Sequence, residues 1–196
     1  LADADIYKKN VQKFNEFDLA VLSNTPLRPV LGTTKIQNDI SRHLIVSTLN
    51  DVPTTTRLKG PLFVFVHTLA THAPFVLGPN GEHRNPSALT RGENPPGIGQ
   101  KSVTHDYIDS YRGQLHYSNK LLKRMISRII ENSDRPAVII LQADHGPHFN
   151  LDWRHPDWEW VFPRFAIFNA YRLPGGGEKH LYPSITPVNT FRVVFN

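Results

Sequence analysis

The stretch that most constrains this chain is residues 136–148, Pro-Ala-Val-Ile-Ile-Leu-Gln-Ala-Asp-His-Gly-Pro-His. Residues 137–141 form an unbroken apolar run rich in β-branched side chains. A run of that kind predicts a strand buried on both faces, as in the middle of a parallel sheet. The chain then turns polar at Gln142, Asp144, His145 and His148, and Gly146-Pro147 breaks the backbone. Asp144 and His145 are therefore expected where the strand ends, the edge at which open α/β sheets bind ligands. A carboxylate beside an imidazole suits a divalent metal, because Asp offers a hard oxygen and His a borderline nitrogen. The same residues also fit an Asp that caps the next turn beside a solvated histidine. The pattern alone admits both.

Composition narrows the class. A chain of 196 residues can bury one sizeable core. Its 39% hydrophobic and 20% charged residues fit a globular protein, while 16 prolines imply many loops. No apolar stretch approaches the ~20 residues of a membrane span. The chain opens at Leu1 without a signal-like segment, which suggests part of a longer protein. The net charge is +5, but basic residues occur only in short clusters such as Lys8-Lys9 and Lys123-Arg124. That spread argues against a nucleic-acid stripe and permits an anionic substrate. With no cysteine, disulfides and thiolate metal sites are excluded.

Along the chain, a helix is expected over residues 5–17 and a short strand over 18–22, followed by a loop with Pro26 and Pro29. Asp39 or Ser41 could cap a helix carrying Leu44, Ile45, Thr48 and Leu49, which Pro53 stops. Residues 62–66, Leu-Phe-Val-Phe-Val, form a second apolar run, and it too ends in polar chemistry at His67, Thr68, Thr71 and His72. Five prolines and five glycines mark residues 73–103 as a long loop. The long helix follows, from Thr104 to about Glu131, with Ile108, Tyr111, Leu115, Leu122, Met125 and Ile129 as its core stripe. His116 falls off that stripe and reads as a surface or second-layer residue. Three tryptophans between Trp153 and Trp160 serve packing or wall the polar edge, and packing is the commoner use. Residues 164–168 read as another strand, 175–177 as a turn, and 188–195 as a final amphipathic segment.

In this order the motifs carry more than any one of them alone: a strand-like run with His67, then His72-Ala73-Pro74-Phe75, a long helix, a strand with Asp144-His145-Gly146, and residues 164–171, Arg-Phe-Ala-Ile-Phe-Asn-Ala-Tyr. The series resembles the C-terminal half of the sulfatase-like branch of the alkaline phosphatase superfamily. It is most similar to membrane-anchored sulfatase-like proteins related to lipoteichoic acid synthases and phosphoethanolamine transferases. The tail over residues 181–191 adds to the resemblance.

The resemblance implies an α/β fold: a mixed, mostly parallel sheet flanked by helices, of which residues 1–196 would be the C-terminal part. It implies a divalent metal (Mn, Zn, Mg or Ca) held by Asp144 and His145, and His72 facing the phosphate or sulfate of an ester substrate. His148 and Arg164 would join His72 on the substrate side. No role carries over to His67, and core packing is the simpler use for it. Membrane association would come only through segments outside this chain, placing the domain on the extracytoplasmic face. The family's Thr or Ser nucleophile and further acidic ligands belong to the N-terminal half of its catalytic domain, and residues 1–60 do not match that half. Ser23 and Thr25 precede Pro26 without an acidic strand before them, and residues 54–56 lack that context as well. Three readings follow: part of a metal-dependent hydrolase or transferase with its nucleophile elsewhere, a non-catalytic module keeping the fold and anion or metal binding, or a histidine-rich metal-binding protein.

Overall fold

The computed structural model describes Thr25 and residues 33–86, 105–147 and 158–195. The helix and strand expected over 5–17 and 18–22 lie outside the described residues, as do Thr104, His148 and Trp153. Helix α1 spans Thr33–Asp51 and begins before the caps expected at Asp39 and Ser41. Ile45 and Leu49, one turn apart, point into the core. Pro53 stops α1 as expected, because it has no N–H to donate to the carbonyl four residues back and its ring crowds that turn. The chain tightens there into a 3-10 helix, Val52–Arg57. The hydroxyls of Thr54, Thr55 and Thr56 each bond the carbonyl three residues back, at 2.6, 2.8 and 2.8 Å.

Helix α2, His105–Asn132, is the long helix the periodicity predicts. Its buried face differs from the expected stripe. Ser110, Gly113, Gln114, Ser118, Leu121 and Met125 are the buried residues, and of the predicted set only Met125 is among them. The reason lies in what the helix covers. Residues 70–77 cross it as irregular backbone, whose N–H and C=O groups need partners once buried. Gln114 accepts from the Val76 and Leu77 amides at 2.8 and 3.1 Å, and Ser118 donates to the Ala70 carbonyl at 3.1 Å. The apolar core then forms around Ile45, Leu49, Ala70, Val76, Leu77, Leu121 and Met125. Burial of each large side chain contributes about 1.5–3 kcal/mol.

The first part of the long loop is more ordered than its proline and glycine content suggests. Leu77 pairs with His83 across a tight turn, and Gly81 takes φ 87° there with the Tyr117 ring against its Cα, so only glycine fits. Phe75, only 2% exposed, meets Tyr107 and Tyr111 edge-on at 5.1 and 5.8 Å between ring centres.

Strand β1 is Ile139–Gln142, helix α3 is Trp158–Phe165, strand β2 is Asn169–Arg172, and a six-residue helix α4, Thr190–Phe195, closes the chain. The strand expected over 164–168 is displaced. Trp158 and Phe162, one turn apart with ring centres 5.8 Å apart, favour a helix up to Phe165, and the strand itself begins only at Asn169. The sheet departs from expectation too. Among the described residues it has two strands, paired antiparallel with Ile140 opposite Tyr171 and Gln142 opposite Asn169. Neither a mostly parallel sheet nor a strand over 62–66 is present among them. Phe63 and Phe65 are 75% and 65% exposed. An apolar run states a preference for burial, but strand pairing needs a neighbouring backbone, and none of the described residues supplies one to 62–66.

Candidate active site

β1 delivers Asp144 and His145 to the end of the strand, as the sequence predicts. The Ala143 amide still donates to the Phe168 carbonyl at 2.9 Å, so pairing with the other chain segment holds up to the residue before Asp144. The backbone then turns. Asp144 Oδ1 accepts from the His145 amide at 2.8 Å, while its Oδ2 stands 3.4 Å from His145 Nε2. His145 Nδ1 lies 3.1 Å from the Gly146 carbonyl. A carbonyl only accepts, so Nδ1 carries a proton, and in the neutral form of the ring Nε2 keeps a lone pair.

Burial alone would raise the Asp144 pKa. The His145 amide, the His145 ring, its own amide and the Arg164 guanidinium outweigh that and hold it below the ordinary carboxylate value. Asp144 is therefore an anion at neutral pH.

Arg164 joins this pair from the last turn of α3. Its Nη1 donates to the Gly146 carbonyl at 3.0 Å, and the Gly146 amide donates to the Arg164 carbonyl at 2.8 Å. The two segments meet so closely that a Cβ on Gly146 would collide with the Pro163 carbonyl. Glycine is required here by contact, not by its backbone angles.

His72 stands in a different setting. Its ring is exposed, its amide donates to the Leu69 carbonyl at 2.9 Å, and its Nδ1 donates to the Ala73 carbonyl at 2.6 Å, again leaving Nε2 free for a ligand. Gln114 Nε2 donates to the His72 carbonyl at 3.2 Å. Gln114 thus holds the backbone on both sides of the His-Ala-Pro-Phe motif. Sequence reading missed Gln114 and Ser118. The available signal was a stripe of small and polar residues, 110, 113, 114 and 118, running in helical register into Leu121 and Met125.

The structure brings Asp144, His145 and Arg164 together. No hydrogen bond or ion pair joins His72 to them, and His148 lies outside the described residues. His67 is exposed, which removes the packing role expected for it. The Thr54, Thr55 and Thr56 hydroxyls bond the carbonyls of Asp51, Val52 and Pro53, three residues back in each case.

The donors fit a divalent cation, though incompletely. Two ligand atoms on one tetrahedral ion, each about 2.0–2.1 Å from it, stand about 3.3 Å apart. Asp144 Oδ2 and His145 Nε2 are separated by 3.4 Å. A ligating histidine commonly donates its other ring N–H to a backbone carbonyl, as His145 does to Gly146. Among the described residues, no group of three or more His, Cys, Asp or Glu gathers around one point, so the pair is a partial ligand set.

Among the described residues, helices and a two-stranded sheet gather a carboxylate, an imidazole and a guanidinium at the end of a strand. A family model described as Sulfatase matches residues 6–193, and the chain belongs to that family. A search of curated proteins and a search of solved structures gave no match.

Proposed function

We propose that this chain provides part of the site of a metal-dependent hydrolase or transferase acting on phosphate or sulfate esters. The observation that carries the reading is the Asp144–His145 pair: an anionic oxygen and a lone-pair nitrogen 3.4 Å apart on one turn. A divalent cation bound there would offset charge on the transferred group. Arg164 steadies the turn and adds positive charge beside it. His72, its Nδ1 tied to Ala73, offers Nε2 to the anionic group of the substrate. The nucleophile, a Thr or Ser, comes from outside residues 1–196. The domain works on the extracytoplasmic face of a membrane through segments outside this chain. No helix among the described residues is long and apolar enough to cross a membrane.

Calorimetric titration with Mn²⁺ and Zn²⁺ tests the reading. Asp144→Ala and His145→Ala should each weaken binding at least about tenfold, a typical loss when one supporting group of a metal site is removed. His180→Ala, in the 3-10 helix Pro174–His180 that follows β2, should leave the affinity as it was. Unchanged affinity in both site variants would sink the assignment.

A further inference from the structure

We infer that Thr190 is a positioning residue for the Asp144–His145 turn, acting through a line of hydroxyl and amide groups that runs from buried Thr190 past half-buried Tyr171 and Asn169 to exposed Gln142; this rests on the reading of that turn as a cation site. Helix α4 is seated in an unusual way. Its two phenylalanines, Phe191 and Phe195, are 49% and 78% exposed, while Thr190 is 1% exposed. The helix's most buried residue is thus a polar one. Burying a hydroxyl is unfavourable unless it is hydrogen-bonded, and valine would fill the same space without that requirement.

Thr190 has its bonds. Tyr171 Oη and Thr190 Oγ1 are 2.7 Å apart, Asn169 Nδ2 donates to Tyr171 Oη at 2.8 Å, and Thr190 Oγ1 donates to Gln142 Oε1 at a longer 3.4 Å. The donor directions agree along the line. Since Tyr171 receives from Asn169, its own O–H points to Thr190, and the Thr190 O–H points to Gln142.

Strand register shows what the line holds. Tyr171 lies opposite Ile140 and Asn169 opposite Gln142, and side chains two residues apart share a sheet face. Thr190 therefore caps the face of the last rung of the ladder. Gln142, on that rung, is two residues before Asp144. The arrangement is kept even though Asn169 Oδ1 is left buried without a partner. Ordering the last rung fixes where the turn begins, and with it the separation of the two donor atoms.

The test compares Thr190→Val, Thr190→Ser and Tyr171→Phe in the full chain, by Mn²⁺ and Zn²⁺ calorimetry beside thermal melts. Thr190→Val should weaken cation binding about tenfold, in the range found for groups that orient metal ligands. Thr190→Ser, which keeps the hydroxyl, should stay within about twofold of wild type under the same principle. Leu49→Ala serves as a control for general destabilisation: it should lower the melting temperature and leave affinity unchanged. Wild-type affinity in Thr190→Val overturns the inference. So does an equal loss in Thr190→Ser, or an equal loss in Leu49→Ala. Should Thr190→Val fail to fold, Tyr171→Phe removes the neighbouring hydroxyl at constant shape and must show the weakening, and wild-type affinity there is equally decisive. A wild-type chain that binds neither ion overturns the cation-site reading itself, whereas a binding wild type with an indifferent Thr190→Val overturns only the role of Thr190.

Discussion

At the scale of single residues, the turn after β1 is decided by contact and charge. Gly146 sits where the Pro163 carbonyl leaves no space for a side chain. Gly146→Ala must push α3 away, which breaks the reciprocal bonds between Gly146 and Arg164. The expected outcome is a loss of roughly 1–3 kcal/mol, the scale of overpacking a tight site, read by urea unfolding, together with weaker cation binding. A Gly146→Ala chain as stable as wild type would show that the contact relaxes at no cost. Asp144 adds a pH dependence whose sign follows from its lowered pKa. A carboxyl held below its unfolded value stabilises the fold above that value, and the contribution disappears as pH falls through the folded pKa. Because Asp144 is 81% exposed, solvent screening keeps the effect on stability small. The same titration governs cation affinity directly, so binding should decline as pH falls through that lowered pKa, below the ordinary Asp value of about 4. Calorimetry at about pH 5, 4 and 3 checks this, and flat affinity down to the lowest of these would mean that Asp144 is not a ligand.

Among the elements, α2 carries the most information and was the least legible. Its existence and length follow from periodicity, but its buried stripe does not. Periodicity registers apolar side chains, whereas α2 meets irregular backbone that requires hydrogen-bonding groups. Gln114, fully buried, serves the Val76 and Leu77 amides and the His72 carbonyl. Gln114→Leu strips two buried backbone amides of their partner and frees the partly buried His72 carbonyl, at about 1–3 kcal/mol for each buried group left unsatisfied. The variant should be destabilised by several kcal/mol in chemical denaturation, far beyond a surface substitution, and a loss under about 1 kcal/mol would contradict the accounting of buried polar groups. The same helix face predicts an alkaline limit. Tyr107 is raised above its ordinary pKa first by burial and then by the neighbouring Tyr111, and Tyr111 is raised by burial. The folded state therefore holds these phenol protons more tightly, and stability falls as pH climbs from about 10, the unfolded value. Tyr107→Phe with Tyr111→Phe should flatten that decline in urea midpoints measured between about pH 8 and 11, and an unaltered slope would remove these two phenols as its source.

For the whole molecule, the sequence disclosed where β1 ends better than how the sheet is paired. Asp144, His145 and Gly146 were legible because a strand that stops at polar residues is a local signal. The sheet was not, because pairing is settled between distant segments. Arg135 donates to the Gly60 carbonyl at 2.8 Å, yet residues 62–66, which follow Gly60, carry Phe63 at 75% exposure with no strand partner among the described residues. Phe165 and Phe168, beside the candidate site, are likewise 66% and 57% exposed. A two-stranded sheet is marginal in water without further strands or a helix against it. Ester cleavage asks more of the assembly than binding does. It needs a nucleophile, a filled cation site and an anion-stabilising group held within bonding reach of one another. Here Asp144 and His145 are two donors without a third among the described residues, His72 is not joined to them, and Thr54–Thr56 bind their own backbone. Groups that act as a unit lose nearly all of the rate when one is missing. The chain by itself should therefore show no turnover of an aryl phosphate or an aryl sulfate above background, with or without Mn²⁺ or Zn²⁺, even where calorimetry detects binding. Release of the chromogenic phenol is the measurement. Metal-dependent turnover that Asp144→Ala abolishes would overturn the expectation and place a nucleophile within residues 1–196.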